Sequence, residues 1–215
     1  MIVKVCGVRT PEIAETAVEA GADWLGLVIA ADSPRHVDDA AACAVRRQVR
    51  GRASLVGVMV SPTSSACDEA AQRYGLDAVQ VHGEAPLALA WQTSVPIIRA
   101  INVRDPGVAF VEGWWPDCLV LLDSAPPDDG DLPGGTGLRV DQVAAAALAR
   151  HRPLMLAGGL TPHNVAAAIE AVRPQGVDAS SGLESTPGVK QAHLVAAFVE
   201  AARHAGAGAG LGAGW

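Results

Sequence analysis

Eight short runs of apolar, largely β-branched residues recur along this chain, with Ala-rich segments of helical periodicity between them. The runs are Ile2–Cys6, Trp24–Ile29, Ser54–Val60, Ala78–Val81, Val95–Ile101, Cys118–Leu122, Leu154–Ala157 and Gly176–Ala179. Each is nearly continuous rather than alternating, as in parallel strands buried on both faces. Helices are predicted over Pro11–Ala20, Asp38–Arg50, Ser64–Tyr74, Ala85–Trp91, Asp105–Trp114, Val140–Arg150, Thr161–Val172 and Val189–His204. Eight β-then-α units in about 205 residues predict a single α/β domain closed into a parallel barrel. A doubly wound sheet, the competing architecture, would use fewer strands, and no G-x-G-x-x-G follows the first run. The barrel is expected over residues 1–204, with the Gly/Ala-rich residues 205–215 a flexible tail.

Local punctuation agrees with this layout. Thr10-Pro11 and Thr161-Pro162 each read as an N-cap followed by proline at the first helical position. Gly21 and Gly75 stand where a left-handed helix C-cap is expected. The phrases Ala20-Gly21-Ala22-Asp23 and Tyr74-Gly75-Leu76-Asp77 are similar turns that each close a helix and open a strand.

Composition narrows the function classes. Half of the 215 residues are apolar and 18% are charged, enough for a sizeable core and against disorder. The formal charge of −7 argues against nonspecific nucleic-acid binding. No run approaches the ~18 apolar residues of a membrane helix, and Met1–Cys6 reads as a strand rather than a signal peptide. A cytoplasmic protein is therefore expected, with Cys6, Cys43, Cys67 and Cys118 as free thiols. They form no C-x-x-C pair, and no His and carboxylate cluster marks a catalytic metal.

In a barrel of this kind the chemistry sits where strands end and βα loops begin. Cys6-Gly7, Ser33-Pro34-Arg35, His82-Gly83, Asp123, Gly158-Gly159 and Asp178 through Glu184 fall at those ends, whereas the opposite ends carry ordinary connectors. Glycine-rich stretches follow the last three runs: Gly134-Gly135-Thr136-Gly137, Gly158-Gly159 and Ser180-Ser181-Gly182. Backbone amides in the loops after strands seven and eight are a common phosphate cradle and need no lysine. Cys6 by position is either a packed small hydrophobe or a reactive thiol. Asp123, after four apolar residues, is either a cap or a functional carboxylate. Arg35 is either a solvated charge or a carboxylate ligand. His82 reads first as a structural histidine. The Pro-, Asp- and Gly-rich stretch from Ser124 to Gly137 has the length of a lid.

Taken together, these segments resemble the phosphoribosylanthranilate isomerase family. Lys4-Val5-Cys6-Gly7, Ser33-Pro34-Arg35-His36-Val37, Gly57-Val58-Met59-Val60, Val79-Gln80-Val81-His82-Gly83, Leu121-Leu122-Asp123-Ser124, Gly134-Gly135-Thr136-Gly137, Leu156–Leu160 and Val177–Glu184 occur in the family's order from Met1 to about Arg203. The resemblance implies a (β/α)8 TIM barrel that performs an Amadori rearrangement on N-(5′-phosphoribosyl)anthranilate without metal or cofactor. It implies Cys6 as general base, Asp123 as general acid and Arg35 as the partner of the anthranilate carboxylate, with His82 and Asp178 as further substrate contacts. It also implies Gly158, Gly159, Ser180, Ser181 and Gly182 as the phosphate grip, and Gly134, Gly135, Thr136 and Gly137 as part of the lid. The partner is a small phosphosugar, with no nucleic acid or membrane, and the chain is expected as a monomer or homodimer. Three features depart from the family: no aromatic residue precedes Ser33, no lysine follows Gly137, and Pro126-Pro127-Asp128-Asp129 interrupts the long loop.

Three alternatives have their own signatures. A histidine-pathway isomerase would place Asp where Cys6 stands and would carry a second phosphate loop in the first half. A non-catalytic phosphosugar-binding barrel would lack the acid or the base. A pathway lyase would need a lysine-rich rim, and this chain has only Lys4 and Lys190.

Overall fold

The computed structural model describes residues 1–102, 118–123 and 137–210. Eight parallel strands close into a barrel: β1 Ile2–Cys6, β2 Trp24–Val28, β3 Ser54–Val60, β4 Ala78–His82, β5 Ile97–Asn102, β6 Val120–Asp123, β7 Leu154–Ala157 and β8 Gly176–Ala179. Closure is the pairing of β1 with β8, in register Lys4 opposite Asp178. Around the barrel lie α1 Pro11–Glu19, α2 Asp39–Val49, α3 Ser64–Tyr74, α4 Leu89–Gln92, α5 Gly137–Ala149, α6 Val165–Val172 and α7 Ala192–Gly208. A short antiparallel pair, β9 Glu184–Thr186 and β10 Val189–Lys190, precedes α7. No described helix is long and apolar enough to cross a membrane.

The strands read as continuous apolar runs because each face has its own core. Successive side chains point to opposite faces. Val3, Val5, Leu25, Leu27, Val79, Val81, Val120 and Leu122 pack outward with helix residues such as Ala17, Val45, Ile169 and Phe198. Ile2, Val56, Ala78, Ile98, Ala100, Leu121, Met155 and Ala157 fill the lumen. Towards the C-terminal ends the filling turns polar, with Lys4, Gln80 and Asp178 all buried.

Local chemistry sets the element ends. The side chains of Thr10, Asp38 and Thr63 accept from the amides of Ile13, Ala41 and Ala66, capping α1, α2 and α3. The two similar turns do one job. Asp23 accepts from the Val3 amide and Asp77 from the Leu55 amide, each at 2.7 Å, tying the turn to the start of the preceding strand.

Several elements differ from the sequence-based expectation. Instead of Ala85–Trp91, the fourth helix is only Leu89–Gln92; Pro86 disfavours helical geometry at Ala85, so the helix cannot begin there. The sixth helix begins at Val165 rather than at Thr161-Pro162. Asn164 explains the delay: its side chain accepts from the Thr161 amide and donates to the Gly159 carbonyl, so the residues before it are held as a turn. The stretch predicted as helix from Val189 instead completes the β9–β10 hairpin, and α7 starts at Ala192. At its other end α7 continues through Gly208, into the expected tail. Gly206 is buried there, and a Cβ on it would meet Met1 at 2.8 Å. The predicted helix Asp105–Trp114 lies outside the described residues.

Arg203 joins α7 to the start of the barrel. Its guanidinium donates to the Met1 carbonyl at 2.8 Å and to the Gly21 carbonyl at 3.0 and 2.6 Å, and it pairs with Asp23. Replacing Arg203 with Ala should cost about 1–3 kcal/mol of stability, the scale for charged hydrogen bonds whose partners are left behind. Urea unfolding followed by circular dichroism reads this directly.

Candidate active site

Cys6 is the last residue of β1, and its side chain shares the inward face with Ile2 and Lys4. The chain turns immediately after it, where the amides of Gly7 and Val8 both donate to the Gly26 carbonyl, at 2.9 and 3.0 Å. The thiol is buried against Val28 and Val58. One residue pair below, the Lys4 ammonium donates to Asp178 Oδ2 at 3.0 Å, and its charge acts on the Cys6 sulfur. Burial pushes the Cys6 thiol above its ordinary value, while the charges of Lys4 and Lys190 act against that push. Burial would lower Lys4, but Asp178 and Cys6 outweigh it and keep the ammonium charged. The free protein therefore holds Cys6 mainly as a thiol at neutral pH.

Asp123 ends β6 on the same inward face as Leu121. Burial first, and the negative charge of Asp178 second, raise its carboxyl above the ordinary value. Asp123, His82, Arg99 and Ala100 border a cavity of about 520 Å³. His82 accepts from the Gln80 amide nitrogen at 2.7 Å through Nε2. Burial, then the charge of Lys4, lower its pKa, so the ring is neutral. Cys6 and Asp123 stand on strands separated by β7 and β8 around the rim.

Arg35 is not a free guanidinium awaiting a ligand. Its Nε and Nη2 donate to the two carboxylate oxygens of Glu184, at 2.9 and 2.8 Å. Lys190 binds the same carboxylate and reaches Ser180 Oγ at 3.5 Å. Burial of Glu184 opposes ionisation, but Arg35 and Lys190 overcome it and bring its carboxyl down to about 2. The hairpin that carries Glu184 is pressed onto the Ser33–Arg35 loop, since a Cβ on Gly188 would lie 2.3 Å from the Pro34 carbonyl oxygen. The bidentate face of Arg35 is thus used internally, through Nε and Nη2.

The two glycine-rich loops meet. Gly158 and Gly159 have φ of +87° and +59°, geometry that β-carbons disfavour. A Cβ on Gly159 would project into open space. Ser181–Leu183 forms a single turn of 3₁₀ helix, and a Cβ on Gly182 would sit 2.1 Å from the Leu160 carbonyl oxygen. Only glycine lets the loop after β8 approach the loop after β7 this closely. Of the expected lid residues, Gly137 begins α5, while Gly134, Gly135 and Thr136 lie outside the described residues.

The structure therefore gathers Cys6, Arg35, His82, Asp123, Asp178 and both glycine loops at one end of the barrel. Sequence reasoning assigned no site role to Lys4, Gln80, Arg99, Glu184 or Lys190. Lys4 had a usable signal: a charged residue at an inward position of a buried strand requires a partner.

Comparison with known proteins gives the family. The family model for N-(5'phosphoribosyl)anthranilate (PRA) isomerase matches residues 3–201. The N-(5'-phosphoribosyl)anthranilate isomerase of Roseiflexus sp. (strain RS-1) is 45% identical over 213 residues, covering 94% of this chain and 98% of that protein. A crystal structure of phosphoribosyl anthranilate isomerase from Thermotoga maritima superposes with a TM-score of 0.82 at 34% identity, over 95% of this chain and 100% of that one. A crystal structure of phosphoribosyl anthranilate isomerase in complex with reduced 1-(o-carboxyphenylamino)-1-deoxyribulose 5-phosphate matches with a TM-score of 0.75 at 30% identity, over 95% and 100% of the two chains.

Glu184 makes the folded state sensitive to acid. Its carboxyl lies near 4.5 when unfolded and at about 2 when folded. A depressed folded value means the contribution is complete above the unfolded value and is lost as pH falls towards the folded one. Stability should therefore drop between about pH 4.5 and pH 2. The drop should be shallower in Glu184→Gln, as measured by thermal unfolding across that range.

Proposed function

Because the chain belongs to the N-(5'-phosphoribosyl)anthranilate isomerase family, we propose that Cys6 and Asp123 are the base and acid of its rearrangement. The reaction turns N-(5′-phosphoribosyl)anthranilate into 1-(2-carboxyphenylamino)-1-deoxyribulose 5-phosphate, a step of tryptophan biosynthesis. The observation that carries the assignment is the pair of unlike proton-transfer groups at inward strand ends over one lumen, beside two abutting glycine loops.

Asp123, with its raised carboxyl, delivers a proton to the furanose oxygen as the C1′–O bond breaks. The electron pair of the anthranilate nitrogen forms the Schiff base. The C2′ hydrogen is now acidic, and the Cys6 thiolate removes it. The resulting enolamine tautomerises to the ketone. The two groups need opposite protonation states, and their surroundings differ in sign: among the described residues Asp123 has only the negative charge of Asp178 acting on it, whereas at Cys6 the charges of Lys4 and Lys190 oppose burial and Asp178.

The remaining residues hold the substrate. Amides of Gly158, Gly159, Ser180 and Ser181 grip the phosphate at the loops after β7 and β8. Arg35 meets the anthranilate carboxylate through Nη1, its other donors anchored on Glu184. Asp178 Oδ1, buried and without a hydrogen-bond partner among the described residues, accepts from a sugar hydroxyl. His82, neutral and bordering the same cavity as Asp123, contacts the substrate. Every one of these residues comes from a single chain, so a monomer or a homodimer would serve equally. The free thiols suit a reducing cytoplasm.

Turnover of phosphoribosylanthranilate, made in place from anthranilate and phosphoribosyl pyrophosphate, is followed by its loss of fluorescence. Cys6→Ala and Asp123→Asn should each lower kcat by ~10²-fold or more. Near-normal turnover in either sinks that role. Arg35→Ala should chiefly raise KM, and Gly182→Ala should do the same by forcing the two loops apart. An unchanged KM and kcat removes the residue from the site.

A further inference from the structure

We infer that Lys4, buried beside Cys6 on the inward face of β1, is a positioning residue whose ammonium eases ionisation of the Cys6 sulfur. The inference deepens the reading of Cys6 as base and rests on it.

Three observations carry it. Lys4 is completely excluded from solvent, and its ammonium donates to Asp178 Oδ2 at 3.0 Å on the inward face that Cys6 shares. Gly26, across from both on β2, leaves the space they share: a Cβ there would lie 2.8 Å from Cys6 Sγ and 3.2 Å from Lys4 Nζ. The φ of Gly26 is not left-handed, so the glycine is required there for room and not for conformation. Lastly, the pairing of Lys4 with Asp178 is poorly explained by stability. A buried ion pair rarely gains over well-packed apolar residues of similar volume. The neighbouring lumen positions are in fact filled by Ile2, Val56 and Met155.

The other charges around the sulfur leave Lys4 as its leading favourable partner. Lys190 also attracts a thiolate, from the hairpin side, while Asp178 repels one. Arg35 and Lys190 share Glu184, and His82 is neutral. Asp123 faces Asp178. An ammonium close to a thiol in a water-poor lumen favours its ionised form. Asp178 in turn keeps that ammonium charged.

Titration of the Cys6 thiol tests the inference independently of turnover. Thiolate absorbance in the ultraviolet, with the Cys6→Ser protein subtracted, gives the midpoint. Lys4→Met should raise it by about one pH unit or more, since the lost group is a close opposite charge. Its kcat/KM should fall about tenfold or more at neutral pH, and the deficit should shrink as pH rises. Lys4→Arg, which keeps the charge, should recover part of both. An unchanged midpoint, or a loss of kcat/KM that is the same at every pH, overturns the inference. The wild-type protein supplies a second test that survives a misfolded variant. Because Lys4 and Lys190 are the only lysines, isotope-labelled lysine side chains give two NMR signals, assigned with Lys190→Arg. The Lys4 signal should move at the pH where Cys6 titrates and should lose that step in Cys6→Ser. A Lys4 signal that ignores the thiol overturns the inference. Near-normal turnover of Cys6→Ala with the titrations still coupled overturns the base assignment, and with it any part for Lys4 in catalysis.

Discussion

The ion pair between Lys4 and Asp178 sits in the barrel lumen at the junction of the first and last strands. Two strands that must pair to close the barrel each bring one charge, in register, to a place water does not reach. Neither charge is tolerable alone in such surroundings. Closure of the barrel and neutralisation of the site are therefore a single event. The polar layer built on this pair places Gln80 and His82 on β4, Cys6 at the end of β1 and Asp123 at the end of β6. Below it the lumen is apolar, and the sheet behaves as ordinary packed core.

The rim is an exercise in binding anions with few cations. Both lysines are committed, Lys4 to Asp178 and Lys190 to Glu184. Arg35 shares Glu184 with Lys190, so this corner carries one positive charge in excess without a loose side chain. Holding a guanidinium on a buried carboxylate fixes its plane before any ligand arrives and removes rotamer freedom that binding would otherwise have to freeze. The glycine loops supply backbone dipoles instead of charges.

Much of the fold was legible because its signal is local. Apolar runs located all eight strands, and Thr10-Pro11, Gly21 and Gly75 marked helix ends where the structure has them. The errors arose where tertiary contacts override local pattern. Val189-Lys190 reads as the start of a helix, but it is the second strand of a hairpin whose Glu184 is held by Arg35, 149 residues away in the chain. The late start of α6 comes from Asn164 turning back onto Gly159, a bond that composition does not announce. At the site, strand ends pointed to Cys6 and Asp123, and the family resemblance supplied roles for them. The identity of their electrostatic neighbours was not legible. Which lumen residue meets which depends on barrel register, and Lys4 and Asp178 are 174 positions apart.

That separation has a consequence for synthesis on the ribosome. Lys4 emerges 174 positions ahead of its counter-ion. A growing chain that has built the first several strands still lacks the carboxylate that makes Lys4 acceptable inside a barrel. It also lacks Arg203, which clamps the Met1 carbonyl. Contacts of such long range form late and slowly. The surroundings of Cys6 are therefore completed only late, and a prematurely terminated product would carry an uncompensated lysine where its lumen should close.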